Sequence, residues 1–100
     1  KHQMLERVDA ILALPPSAKV DDVLRGQVLG GKFLGLMLSS LRRHGESARV
    51  VEVLQFANKE GYTLNNTHFT IVLSACRDTG MWEAAVALFA LLKAKGIQPD

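Results

Sequence analysis

Gly45 and Gly80 stand 35 residues apart, and so do Gly61 and Gly96. Two copies of one pattern therefore lie end to end, as residues 31–65 and 66–100. A fixed period in this range is the signature of stacked helical units, each too small to bury its own apolar face. It confines the chain to an all-α architecture, helical hairpins stacked as an α-solenoid. It also shifts the functional expectation from chemistry to binding along a groove.

Aligned without gaps, Leu38 falls on Leu73, Ser39 on Ser74, Arg42 on Arg77 and Val51 on Val86. The apolar positions agree better than the letters. Leu34, Met37, Leu38 and Leu41 are spaced i, i+3, i+4, i+7, and Phe69, Val72, Leu73 and Cys76 fill the same places. Each set makes one stripe of an α-helix. A second helix follows each internal glycine. Val50, Val51, Leu54 and Ala57 match Ala85, Val86, Phe89 and Leu92, with Trp82 opening the later stripe. This register predicts a buried Phe89. Gly45 and Gly80 suit helix C-termini, where a left-handed backbone is needed. Gly61 and Gly96 end the second helices, and Pro99 blocks continuation. Asn66 or Thr67 is the expected N-cap of the third long helix.

The first 30 residues break the register. The positions 35 before Val50 and Val51 are Pro15 and Pro16, which a helix interior does not accept. Leu5, Val8, Ile11 and Leu12 predict an amphipathic helix up to the prolines. Ser17 is placed to cap a short helix carrying Val20, Val23 and Leu24. Gln27 to Gly31 reads as a loop. Residues 1–30 are expected to form a shortened hairpin covering the N-terminal end of the stack.

Composition narrows the function classes. Hydrophobic residues make up 48% of the chain, which fits a globular fold and not disorder. The net charge of +2 does not by itself indicate nucleic acid. The longest apolar run, Ala84 to Leu92, is nine residues and too short to span a bilayer, and Glu83 and Lys93 bracket it, so no membrane insertion is expected. A single cysteine excludes an internal disulfide. The sequence opens on Lys1 and is read as a piece of a longer protein, so a missing targeting peptide carries no information.

The segment NTHFTIVLSACRDTGMWEAAVALFALLKAKGIQPD, residues 66–100, resembles a pentatricopeptide repeat. The marks are Phe69 early in the first helix, C-R-x-x-G at Cys76 to Gly80, A-x-x-x-F at Ala85 to Phe89, and G-I-x-P-D at Gly96 to Asp100. Residues 31–65 resemble a weaker member, with Leu64 and Asn65 where the later copy has Pro99 and Asp100. The resemblance implies a right-handed superhelix with first helices lining the concave side. It also implies location in a mitochondrion or chloroplast, and single-stranded RNA as ligand, one base per repeat. In the family the fifth and last residues of a repeat select the base. Here these are Thr70 with Asp100, a pair that favours guanine, and Gly35 with Asn65, where Gly35 offers no side chain. The family's usual lysine before the phosphate-facing turn is matched by Arg43, whereas Asp78 in the later copy would repel a phosphate.

Read without the family, the helix face opposite the core carries Lys32, Gly35, Ser39 and Arg42 in one copy and Thr67, Thr70, Ser74 and Arg77 in the other. Small or hydroxylic residues followed by a cation suit a flat ligand and its phosphate. A solvated helix face is the alternative on periodicity alone. A structural role, docked on protein subunits of a large organellar complex, is the rival function. No catalytic or metal site is expected and no cofactor. Cys76, His2, His44 and His68 lack ligand spacing, and Cys76 lies in the core stripe. Glu83 and Asp78 read as solvated or helix-end charges, and Gly30-Gly31-Lys32 lacks the context of a phosphate loop.

Overall fold

The computed structural model describes residues 2–26 and 30–97. Six helices follow one another: α1 (His2–Leu12), α2 (Asp21–Leu24), α3 (Gly31–Arg43), α4 (Ser47–Lys59), α5 (Asn66–Thr79) and α6 (Trp82–Ala94). Among the described residues there is no strand, and no helix is long and apolar enough to cross a membrane. Helix α3 packs on α4 and α5 on α6, while α3 and α4 both pack against α5. The result is an α-solenoid of stacked helical hairpins, with α1 laid against α3.

The turns follow from the glycines. Gly45 and Gly80 adopt φ of +74° and +70°, a left-handed backbone that side chains disfavour. The residue after each then folds back. Glu46 N–H donates to the Leu41 carbonyl at 3.0 Å, and Met81 N–H to the Cys76 carbonyl at 2.9 Å. Tyr62 and Ile97 make the same bond to Ala57 and Leu92 after the second helices. Carbonyls that would be orphaned at helix ends are satisfied without side chains.

The core runs along the predicted stripes of the first hairpin. Leu34, Met37, Leu38 and Leu41 are buried, as are Val50, Val51, Leu54 and Ala57. In α5, Phe69, Val72, Ala75 and Cys76 are buried, and Leu73 is only half-buried. Burial pushes the Cys76 thiol above its ordinary range, which suits an inert packing role.

The expected stripe of α6 holds at Leu92 and in part at Ala85 and is overturned at Trp82, Val86 and Phe89. Trp82, Val86 and Phe89 are 68%, 70% and 41% exposed, and the buried residues are Leu88 and Leu92. The helix is apolar on both faces, so its sequence has no contrast to mark the inner one. Packing on α5 decides, and it selects Leu88 and Leu92.

The N-terminal segment holds two helices, with differences at the caps. Ser17 is exposed and caps nothing. Helix α2 starts at Asp21, with Val20 before it. Val20 N–H instead donates to Glu52 Oε2 of α4 at 2.9 Å. Arg49 of α4 donates to the carbonyls of Ala18 and Pro15 at 2.8 and 2.9 Å and pairs with Glu52 at 2.7 Å. The proline turn, unable to continue a helix, is thus held by a polar clamp from α4. Lys59 of α4 pairs with Asp21 and draws the Asp21 carboxyl below its ordinary value. Gly31 belongs to α3, and residues 27–29 lie outside the described part.

Candidate functional site

Between α3 and α5 lies an open pocket of about 460 Å³, lined by Gly31, Lys32, Gly35, Leu36, Ser39, Asn65, Thr67, His68 and Ile71. Helix α3 supplies one wall at one-turn spacing, Lys32, Leu36 and Ser39, with Gly35 between them. The other wall is the start of α5 and the residue before it. Gly35 and Asn65, which the repeat register pairs as fifth and last residues, face one cavity.

Asn65, not Asn66 or Thr67, is the N-cap of α5. Its Oδ1 accepts from His68 N–H at 3.1 Å, and its own N–H donates to His68 Nδ1 at 3.2 Å. This is a reciprocal capping box in which histidine replaces the usual Glu or Gln. Because Asn65 N–H requires a lone pair on Nδ1, the ring proton sits on Nε2. Nε2 lies 2.8 Å from the Gly31 carbonyl and donates to it. His68 is 1% exposed and ties the first turn of α3 to the first turn of α5. It therefore fixes the width of the pocket. A β-carbon on Gly35 would meet the His68 ring at 3.7 Å, so the imidazole edge forms the floor where Gly35 has no side chain.

His68 is the residue that sequence reasoning missed. The signal was present as N-x-x-H at the head of an apolar helix, a variant of the capping box. Its second bond, to a carbonyl 37 residues earlier, has no sequence mark.

The remaining candidates divide. Lys32, Ser39 and Thr67 line the pocket with Gly35 and Asn65. Thr70 and Ser74 belong to α5 outside this lining, with Thr70 exposed and Ser74 half-buried. Asp100 falls outside the described residues. Arg42 departs from the expected groove cation. Its Nε and Nη2 bind Asp78 Oδ2 at 3.1 and 3.0 Å. Asp78 is thus no solitary solvated charge. It spends its negative charge on the neighbouring repeat and so repels a phosphate less than an unpaired carboxylate would. Arg43 and Arg77 are exposed, without an acidic partner among the described residues. No Phe, Tyr or Trp lines the pocket, and Phe69 is fully buried.

Residues 36–100 match the family model described as pentatricopeptide repeat-containing protein. The chain belongs to the pentatricopeptide-repeat family. No curated protein and no solved structure matches it individually. Family membership and the stacked hairpins agree on a helical-repeat module. The pocket lies between α3 and α5, the first helices of the two successive hairpins.

Proposed function

We propose that this chain is a module of an organellar protein that binds single-stranded RNA, in which residues 31–65 and 66–100 act as two repeats and 1–30 as a cap. The observation that carries the reading is the convergence of Gly35, Asn65, Lys32 and Thr67 on one pocket. The pocket is open on one side, as a base entering from a flexible strand requires. Lys32 stands at its edge to meet a phosphate, and Arg43 and Arg77 extend the positive charge along the first helices. Asn65 reads the base edge. Its Oδ1 is engaged by His68 N–H, which leaves its Nδ2 amide as the free group. The position therefore offers donors and favours a base edge that presents acceptors. Thr70 and Asp100 form the corresponding guanine-favouring pair of the next repeat.

Titration of single-stranded RNA at two salt concentrations tests the reading. Reversing Arg43 and Arg77 weakens binding and lowers the salt slope by roughly one unit or less per phosphate lost. Asn65→Asp keeps an N-cap acceptor but replaces the amide donor with a carboxylate. Relative affinity then moves toward bases presenting an amino group at that position, while Thr70→Asn moves preference away from guanine at the next. Unchanged binding in the double reversal, or a protein partner covering Thr70 and Arg77, favours the scaffold role instead.

A further inference from the structure

Three arginines stand in the last turns of the first helices, Arg42 and Arg43 in α3 and Arg77 in α5. Among the described residues, Arg42 alone of the three has an acidic partner. That partner comes from the other hairpin. Arg42 Nε and Nη2 donate to Asp78 Oδ2 of α5 at 3.1 and 3.0 Å. One period earlier, the counterpart of Asp78 is Arg43. The second copy thus carries a carboxylate where the first carries a guanidinium, and sets it against Arg42.

Nothing within α5 favours a carboxylate there. Asp78 lies in the last turn, where the helix dipole opposes a negative charge and favours cations. Its charge is answered across the junction instead, by a bond suited to exchange. Both Arg42 donors go to one oxygen, and Oδ1 has no partner among the described residues. The pair therefore lacks the two-oxygen fork that makes Arg–carboxylate contacts strong. The two side chains are 38% and 47% exposed, so water and ions reach the pair and weaken it. Arg42 also stands one turn beyond Ser39, a residue of the pocket wall, so a strand entering the pocket brings its backbone towards this guanidinium.

We propose that Asp78 is an internal competitor for RNA phosphate: it occupies Arg42 in the free protein and yields it to the strand, and so limits how tightly this junction holds the backbone. This rests on the RNA-binding function proposed above and gives that function a residue that restrains it. Binding through Arg42 exchanges one ion pair for another. The phosphate releases its condensed cation, but the carboxylate left behind is exposed and recruits one. Arg42 therefore adds little net affinity and little salt dependence while Asp78 is present. Without Asp78 the guanidinium meets the phosphate with no pair to break.

Titration of single-stranded RNA at two salt concentrations compares the parent, Asp78→Asn, Arg42→Gln and the double variant. Asp78→Asn keeps the size of the side chain and removes its charge, and because the pair is exposed the variant keeps the ellipticity of the parent. It is expected to tighten binding several-fold at low salt and to steepen the salt slope by about 0.7, the increment for one further phosphate contact on a single strand. In the Arg42→Gln background the same change moves the slope little, because there is no guanidinium to release. Affinity and slope in Asp78→Asn equal to those of the parent overturn the proposal. So do equal gains in the two backgrounds, which would make Asp78 a repelling charge and nothing more. A parent that binds no RNA is a failure of the RNA-binding function, and the competition is then read with inorganic pyrophosphate, followed through the Arg42 Nε–H resonance. Half-saturation at a lower pyrophosphate concentration in Asp78→Asn than in the parent supports competition for the guanidinium, and equal half-saturation overturns it.

Discussion

Helices α4 and α6 hold the same place one period apart, yet they have opposite surroundings. Arg49, Glu52 and Lys59 of α4 have Ala84, Ala87 and Ala94 as counterparts in α6. The polar row of α4 grips the proline turn and α2, and its apolar row lies under α5. In α6 the polar row is alanine and the apolar row is open. A repeat position thus fixes that a helix forms, while its neighbours decide which side is interior.

The largest expected effect sets the two apolar rows against each other. Leu54 is fully buried and its counterpart Phe89 is not. Leu54→Ala is expected to cost about 2–5 kcal/mol through lost burial and a residual cavity. Phe89→Ala, although it removes a larger side chain, is expected to cost under about 1 kcal/mol, as surface substitutions do. Urea denaturation of both variants measures the difference. Equal costs would break the comparison and place the Phe89 ring inside.

The polar row gives the next effect. Arg49 is nearly buried and makes bonds to two backbone carbonyls and to Glu52. Arg49→Met keeps much of the aliphatic volume but leaves the Pro15 and Ala18 carbonyls and Glu52 without that donor. The expected loss is about 2–3 kcal/mol, because hydrogen bonds to charged groups exceed neutral ones. Ala84→Met at the counterpart is expected to be far milder. Hydrogen exchange sharpens the result: faster exchange at Val20 N–H, bonded to Glu52, shows that the clamp has opened.

A third variant tests the junction between hairpins. Asn65→Ala removes the acceptor for His68 N–H and is expected to cost about 1 kcal/mol, typical of a lost N-cap. His68→Ala is expected to cost more, because the bond to the Gly31 carbonyl is lost as well and a buried ring is removed. Thermal melts of the two variants rank them. A smaller loss for His68→Ala would mean that the imidazole does not tie α3 to α5.

These comparisons also show what could be read from sequence. The stripes of α3 and α4 were legible because apolar and polar residues alternate at helical spacing. Helix α6 was not, since Val86 and Phe89 are as apolar as Leu88 and Leu92, and periodicity without contrast cannot orient a helix. Gly35 and Asn65 were paired only through the family register, and both line one pocket. His68 and the Arg42–Asp78 pair depend on contacts between residues 36 or 37 apart in sequence, which no local pattern records. The N-cap fell one residue earlier than expected, at Asn65, because two successive asparagines and a threonine offer competing caps. Ser17 was a plausible cap by type, but the Arg49 clamp fixes the turn and shifts the helix start to Asp21.

The smallest expected effect is the pH dependence of the Lys59–Asp21 contact. The Lys59 hydrogen bond is the main cause that lowers the Asp21 carboxyl from 3.8, outweighing its burial. A carboxylate favoured in the fold contributes its full stability above the unfolded value near 3.9 and loses it as pH falls through the lower folded value. The contribution is therefore constant from pH 6 to 8 and disappears in acid. Lys59 is more than half exposed, so solvent screening holds the effect to about 0.5 kcal/mol or less. Asp21→Asn is expected to lower stability slightly at pH 7 and to narrow the difference from the parent below about pH 4. Guanidinium chloride would screen the pair, so urea melts at pH 7 and pH 3 make the measurement. The counterpart of Lys59 is Ala94, which has no charge to lose, so Ala94→Lys in the same melts is expected to add no acid-sensitive increment. A difference between Asp21→Asn and parent that persists unchanged at pH 3 would show that Asp21 acts through packing of α2 and not through its charge.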